Sequence, residues 1–273
     1  MLKSEEGMTE TQLIEYFEHV RYQVAGFKKG DFFTLPTFSG SGFLLSHKGY
    51  TVFVTAGHVA STFNNCVIVY DRDITIQTNT IIKNPFTHLA EGCILVSLSG
   101  LTTTSVFKVD TNTGSLSTEK PFEVAVKVLD EERKNAPFVT QEVNFLGAHV
   151  PYGEPKMALS SNDIVVANSS DTYSVYGRIK LFFEKNSNVL QSTIVFHTGL
   201  RLLYETDDMY VLQYGSPVLL SEWKGLSGSP VLNQDGKLIG MACSVDPFTN
   251  TLSVMKMIRI VPLIEADIQS SQI

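Results

Sequence analysis

Gly225-Leu226-Ser227-Gly228-Ser229-Pro230-Val231 is a turn written in small residues. Two glycines around one serine let the backbone reverse sharply and leave little bulk around the hydroxyl. Such a turn can aim successive N–H groups at one point. Ser227 is therefore a candidate nucleophile, with those N–H groups stabilising the oxyanion it creates. The residues after it, Val231-Leu232-Asn233-Gln234-Asp235-Gly236-Lys237-Leu238-Ile239-Gly240-Met241, read as two strands joined by an Asp-Gly hairpin turn. Gly-Ser turns are common, so the assignment depends on the rest of the chain.

The chain has 273 residues, enough for one domain of two similar halves or for two small domains. Hydrophobic residues make up 43 % and charged residues 18 %, which supports a sizeable core and argues against bulk disorder. The net charge of −7 comes without a long run of either sign, and no cluster of Lys and Arg recommends nucleic acid as a partner. No apolar stretch approaches the ~20 residues of a membrane-spanning helix, so no membrane partner is expected. Met1-Leu2-Lys3-Ser4-Glu5-Glu6 is charged and lacks the apolar core of a secretory signal. The three cysteines, Cys66, Cys93 and Cys243, read as reduced thiols in strand segments. These features favour a cytoplasmic location, with a mature secreted form as the alternative.

Thr9-Glu10-Thr11-Gln12 has the spacing of a capping box, and Leu13, Phe17, Val20 and Val24 recur at helical spacing after it. From Phe32 the pattern is β-rich. Ser39 to Ser46 and Tyr50 to Thr55 flank the turn signal Lys48-Gly49; Cys66 to Tyr70, Ile74 to Ile76, Thr80 to Ile82 and Cys93 to Leu98 follow. Residues 108–120 and Glu131-Glu132-Arg133-Lys134-Asn135 are polar breaks that set the junction between halves within 108–140. The second half is again β, through Val143 to Gly147, Ile164 to Val166, Ser174 to Leu181, Ser192 to Phe196, Met209 to Leu212 and a last strand from Val254 to Val261 ending at Pro262. A short C-terminal helix is the possible ending. The organisation expected is an N-terminal helical extension over 1–30, a first β unit over 31–135 and a second, with insertions, over 136–273. Short strands at near-regular spacing suggest a barrel or a sandwich.

A serine hydroxyl is a poor nucleophile at neutral pH without a base. Of six histidines, His58 stands out: in Thr55-Ala56-Gly57-His58-Val59 it closes a strongly β run, with small residues just ahead of the ring. His19, His47, His149 and His197 fall in helix, turn or strand-end settings that need no chemistry.

Three motifs occur in order: Gly40-Ser41-Gly42-Phe43-Leu44, Thr55-Ala56-Gly57-His58-Val59 and Gly225 to Val231. Together they resemble the trypsin-like (chymotrypsin-fold) serine proteases, and the Ser-Gly-Ser-Pro-Val ending is similar to that of the bacterial glutamyl endopeptidases. The resemblance spans about residues 36–265 through short anchors. It implies an all-β fold of two six-stranded antiparallel β-barrels, preceded here by the N-terminal helix. It also implies His58 as general base, Ser227 as nucleophile, and the backbone N–H groups of Gly225 and Ser227 as the oxyanion hole. The family expects an acid opening a β run; the candidate here is Glu91, in Glu91-Gly92-Cys93-Ile94-Leu95-Val96, a role for which viral chymotrypsin-like proteases also use glutamate. Asp71 and Asp73 follow His58 too closely. Ser221, Glu222 and Cys243 fall near the primary substrate pocket, where an acidic Glu222 wall would favour Lys or Arg. No histidine follows Ser227, which disfavours a preference for Glu. Ile258 and Ile260 hint at a narrow pocket. Leu226 stands where digestive members carry the aspartate that pairs with a freshly cut N-terminus, so that activation switch is excluded. No metal and no cofactor are implied; the expected partner is a polypeptide substrate.

The favoured reading is a serine endopeptidase acting through an acyl-enzyme. Two rivals stand beside it. One is a binding module of the same fold whose triad has decayed at the acid. The other is a protease silent until a regulatory protein partner reshapes its loops.

Overall fold

The computed structural model describes residues 7–28, 38–61, 63–69, 74–75, 93–97, 107–109, 116–118, 124–129, 139, 142–184 and 189–271. The first sheet holds β1 (Arg21–Lys28), β2 (Phe38–His47), β3 (Tyr50–Ala56), β4 (Phe63–Val69), β5 (Cys93–Ser97) and β6 (Val124–Val128). They pair in the order β5-β4-β1-β2-β3-β6, antiparallel throughout. The β2–β3 hairpin turns where the sequence signals it: Lys48 and Gly49 both take left-handed φ (49° and 83°), the geometry of a two-residue hairpin loop.

The second sheet holds β7 (Tyr173–Glu184), β8 (Val189–Glu205), β9 (Met209–Gln213), β10 (Pro230–Asn233), β11 (Leu238–Asp246) and β12 (Thr251–Lys256). Its order is β7-β10-β11-β12-β9-β8, and β7 pairs with β8 to close the barrel. Closure removes the unpaired strand edges of the sheet. The architecture is the all-β, chymotrypsin-like class expected from the sequence. Among the described residues no pairing joins β5 to β6. The halves are also stitched across: Leu159–Ser160 pairs in parallel with Leu45–Ser46 of β2, and Ile74–Thr75 pairs with Leu190–Val189 of β8. The expected strand at Thr80 to Ile82 and much of the expected junction lie outside the described residues.

Helix α1 (Glu10–Val20) opens on the capping box read from the sequence: Thr9 Oγ1 accepts from Gln12 N–H (3.2 Å), and Gln12 Oε1 accepts from Thr9 N–H (2.9 Å). It ends earlier than its periodicity suggests. Val24 fits helical spacing but lies in β1, opposite Gly40 of β2. The stop comes from far along the chain. Buried Lys156 donates from Nζ to the carbonyls of Glu18 and Arg21, and Met157 N–H bonds to His19 O (2.7 Å). Ile14, Phe17 and Val20 of α1 are buried in one cluster with Tyr22, Phe43 and Tyr176, so the helix seals the junction of the two sheets. Phe17 stacks on Tyr176 of β7 (5.8 Å between centroids) and meets Phe196 of β8 edge-on (6.3 Å).

The chain ends in a helix, as the sequence suggests, but that helix begins earlier than expected. The last strand stops at Lys256, and Met257–Ser270 is helix, numbered α4 below, with Pro262 inside it. The β-branched run Ile258, Ile260, Val261 resembles a strand. The wider pattern is helical, because Met257, Ile260, Ile264 and Ile268 share one buried stripe. Pro262 forfeits the bond to the carbonyl of Ile258, whose side chain is 69 % exposed. Asp267 Oδ2 accepts from the N–H of Val128 (2.7 Å), which fixes α4 to the edge of the first sheet.

Candidate active site

His58 lies in the short helix α2 (Gly57–Ser61), directly after β3. Ser227 lies in the turn after α3 (Leu220–Trp223), ahead of β10. The two residues, far apart in sequence, line one cavity of about 500 Å³. Its other walls are Leu220, Trp223, Leu226, Ala242, Val245 and Leu252, with Ser221, Lys224, Cys243 and Ser244 beside them.

The serine turn is held by backbone bonds across the two halves. Ser41 of β2 donates its N–H to Ser227 O (2.8 Å) and its hydroxyl to Gly225 O (2.9 Å). Ser41 O accepts from Thr55 Oγ1 of β3 (2.7 Å). From the second barrel, Ala242 O accepts from Gly228 N–H (2.8 Å), Ala242 N–H donates to Ser229 O (2.9 Å), and Ser229 Oγ donates to Tyr176 O (3.2 Å). Gly228 is obligatory here. Its φ is +93°, and a Cβ would fall 1.9 Å from Ser41 O.

Within the turn, Leu226 N–H donates to Trp223 O (3.0 Å) and Ser229 N–H to Leu226 O (2.8 Å). Gly225 takes φ +117°, accessible to glycine and little else. Among the described residues, neither the Gly225 N–H nor the Ser227 N–H has a hydrogen-bond acceptor, while the N–H groups of Leu226, Gly228 and Ser229 all do. Two backbone donors are thus left over beside the Ser227 hydroxyl. That hydroxyl donates to the carbonyl of Cys243 (2.9 Å).

Leu226 is 2 % exposed and packs in the core of the second barrel with Val175, Trp223 and Val231. Leu226 is thus an apolar anchor that ties the turn to the core of the second barrel.

Ser221 and Cys243 line the cavity; Glu222 is not among its lining residues. The Glu222 carbonyl instead accepts from His197 Nε2 (3.1 Å). Ile258 and Ile260 belong to α4, so they do not shape this pocket; Ile260 is core and Ile258 lines a separate hollow with Val166. Glu91, Asp71 and Asp73 lie outside the described residues. Among the described residues no group of three His, Cys, Asp or Glu side chains could hold a metal ion.

Sequence reading missed two contributors. Ser41 stood in a recognised motif without a role. His197 was passed over, yet its ring lies parallel to the Trp223 indole (3.9 Å between centroids, 5°) behind the cavity wall. Burial pushes its pKa down, against the pull of the Glu222 carbonyl and charge. The signal for Ser41 was its flanking glycines; for His197 no local signal existed.

No family model and no curated protein sequence matches the chain. Among solved structures it is similar to a serine endoprotease from Yersinia pestis, at 13 % identity and a TM-score of 0.48, over 96 % of this chain and 69 % of that one. It is similar to an inactivated protease paralogue of the scabies mite, at 13 % identity and a TM-score of 0.48, over 96 % and 99 %. It is similar also to the tobacco vein mottling virus protease, at 9 % identity and a TM-score of 0.45, over 94 % and 83 %. The chymotrypsin-like fold itself is carried by the strand order and the closed second barrel.

Proposed function

We propose that the chain is a serine endopeptidase in which Ser227 attacks a peptide carbonyl and His58 is the general base. The observation that carries this reading is the pair of N–H donors, Gly225 and Ser227, left without acceptors in a turn whose other amides are bonded. Donors fixed in this way stabilise a tetrahedral oxyanion without reorganising during the reaction. The Ser227 hydroxyl proton, now hydrogen-bonded to the Cys243 carbonyl, would pass to His58 after rotation about χ1. His58 would then protonate the leaving amine, and water would repeat the cycle to release the acyl group. Glu91 is the proposed partner that orients the imidazole.

The apolar cavity walls support a preference for an apolar or aromatic side chain on the acyl side of the scissile bond. Glu222 is absent from those walls, so the preference for Lys or Arg that an acidic wall would confer loses its support.

An irreversible aryl phosphonate with a phenylalanine-like side chain tests the reading. The unsubstituted chain is expected to take one label on Ser227, and Ser227→Ala none. Glu91→Gln is expected to label more slowly, by up to ~10⁴-fold if it orients His58. Labelling that persists in Ser227→Ala would sink the assignment. No label on any form would favour the binding-module reading.

A further inference from the structure

We propose that His197 is the positioning residue of the oxyanion turn: its imidazole grips Trp223 and Glu222 and, through them, aims the Gly225 N–H. The proposal rests on the peptidase reading above.

His197 sits on β8 and is 7 % exposed. It holds the segment before Ser227 in two ways. Its Nε2 bonds to the Glu222 carbonyl (3.1 Å); a carbonyl only accepts, so this nitrogen carries the proton. Its ring face lies flat on the Trp223 indole, and Tyr214 meets both rings edge-on, at 5.5 Å from His197 and 5.6 Å from Trp223. Trp223 is buried, and its indole N–H has no acceptor among the described residues, so ring contacts fix its orientation. Trp223 O in turn accepts the Leu226 N–H, closing the turn that contains Gly225. A shift of the indole therefore propagates over two residues to the proposed oxyanion donor. The titratable groups facing His197 are Glu222, from α3, whose charge favours the imidazolium, and Tyr214; Trp223 and the strand partner of His197, Val175, carry no charge.

Trp223 is the chain's one tryptophan, so all indole emission comes from this position, and His58, which lines the same cavity, is controlled for by its own variant. A stacked imidazolium quenches an indole far more than a neutral imidazole does. Burial disfavours the imidazolium, which sets the expected quenching step below pH 6.5.

The experiment has two arms. In the first, emission is followed against pH for the unsubstituted chain, His58→Ala, His197→Gln and His197→Phe. The step is expected in the first two and absent from the His197 variants. In the second, peptide hydrolysis and phosphonate labelling are measured at a pH above the step. His197→Ala is expected to lower kcat by ~10- to 100-fold, approaching the loss of an oxyanion donor, with KM changed less than about threefold. His197→Phe, which keeps a stacking ring, is expected to recover part of kcat. Normal kcat in His197→Ala, or an emission step that survives in His197→Gln, would overturn the proposal. An emission step without labelling of the unsubstituted chain would instead overturn the peptidase reading on which it rests.

Discussion

Ser41 connects the first sheet to the Ser227 turn through its own amide and hydroxyl, while its carbonyl is held within the first sheet by Thr55 Oγ1. Ser41→Ala removes the donor to Gly225 O and leaves a buried carbonyl unsatisfied. The expected destabilisation is about 1–3 kcal/mol by urea denaturation, with slower phosphonate labelling. Gly228→Ala is expected to be worse on both measures, because its Cβ meets Ser41 O, a backbone atom, rather than a mobile side chain. Equal effects from the two variants would show that close approach at Gly228 is not what fixes the turn. At this scale His58 and Ser227, which line one cavity, were legible as candidates, because each sits in a short motif with small neighbours. The Ser41 bond to Gly225 spans 184 positions, and the His197 bond to Glu222 is equally invisible in either residue's own neighbourhood.

Helix α1 is the clearest case of an element whose start is local and whose packing is not. The capping box is a four-residue signal, and it was readable. The exit is fixed by Lys156, and no short window contains both partners. The reading of Val254 to Val261 as strand holds to Lys256 and fails beyond it for a related reason: β-branched residues fit a sheet, and only the longer spacing of Met257, Ile260, Ile264 and Ile268 reveals the helix. Because Phe17 touches Tyr176 and Phe196 in the second barrel as well as the first core, truncating it opens a cavity at the seam. Phe17→Ala is expected to cost about 3–5 kcal/mol, read as a lower urea midpoint. A cost below ~1 kcal/mol would mean that α1 only rests on the surface.

The whole molecule carries a pH dependence from its seam. Glu18, Arg21, Lys156, Tyr176 and Arg178 are all buried around it. Burial pushes the Lys156 pKa down to about 7 from 10.5; Glu18 opposes this, and Arg21 and Arg178 add to it. A neutral amine keeps two N–H groups, enough for the carbonyls of Glu18 and Arg21. Between pH 7 and 10.5 the unfolded chain holds a proton on Lys156 that the folded chain releases. Stability contributed by this site therefore rises with pH across that window. The urea midpoint is expected to be higher at about pH 9 than at about pH 7, by roughly 1–3 kcal/mol in free energy, and Lys156→Met is expected to flatten the slope. The tyrosines with raised pKa values, Tyr173 at about 12 among them, act in the opposite direction only at more alkaline pH. An unchanged slope in the variant would assign the effect to another group.

The bonds from Ser41 to the turn of Ser227 also impose an order in time. A ribosome releases Ser41 and its strand long before Gly225 and Ser227 emerge. The turn further needs Ala242, from a strand made later still. The growing chain therefore carries no assembled Gly225–Ser227 turn, the proposed oxyanion site, while its own unfolded segments are exposed. On the peptidase reading proposed above, the chemistry would be withheld until the molecule has finished making the substrate nearest to hand, itself.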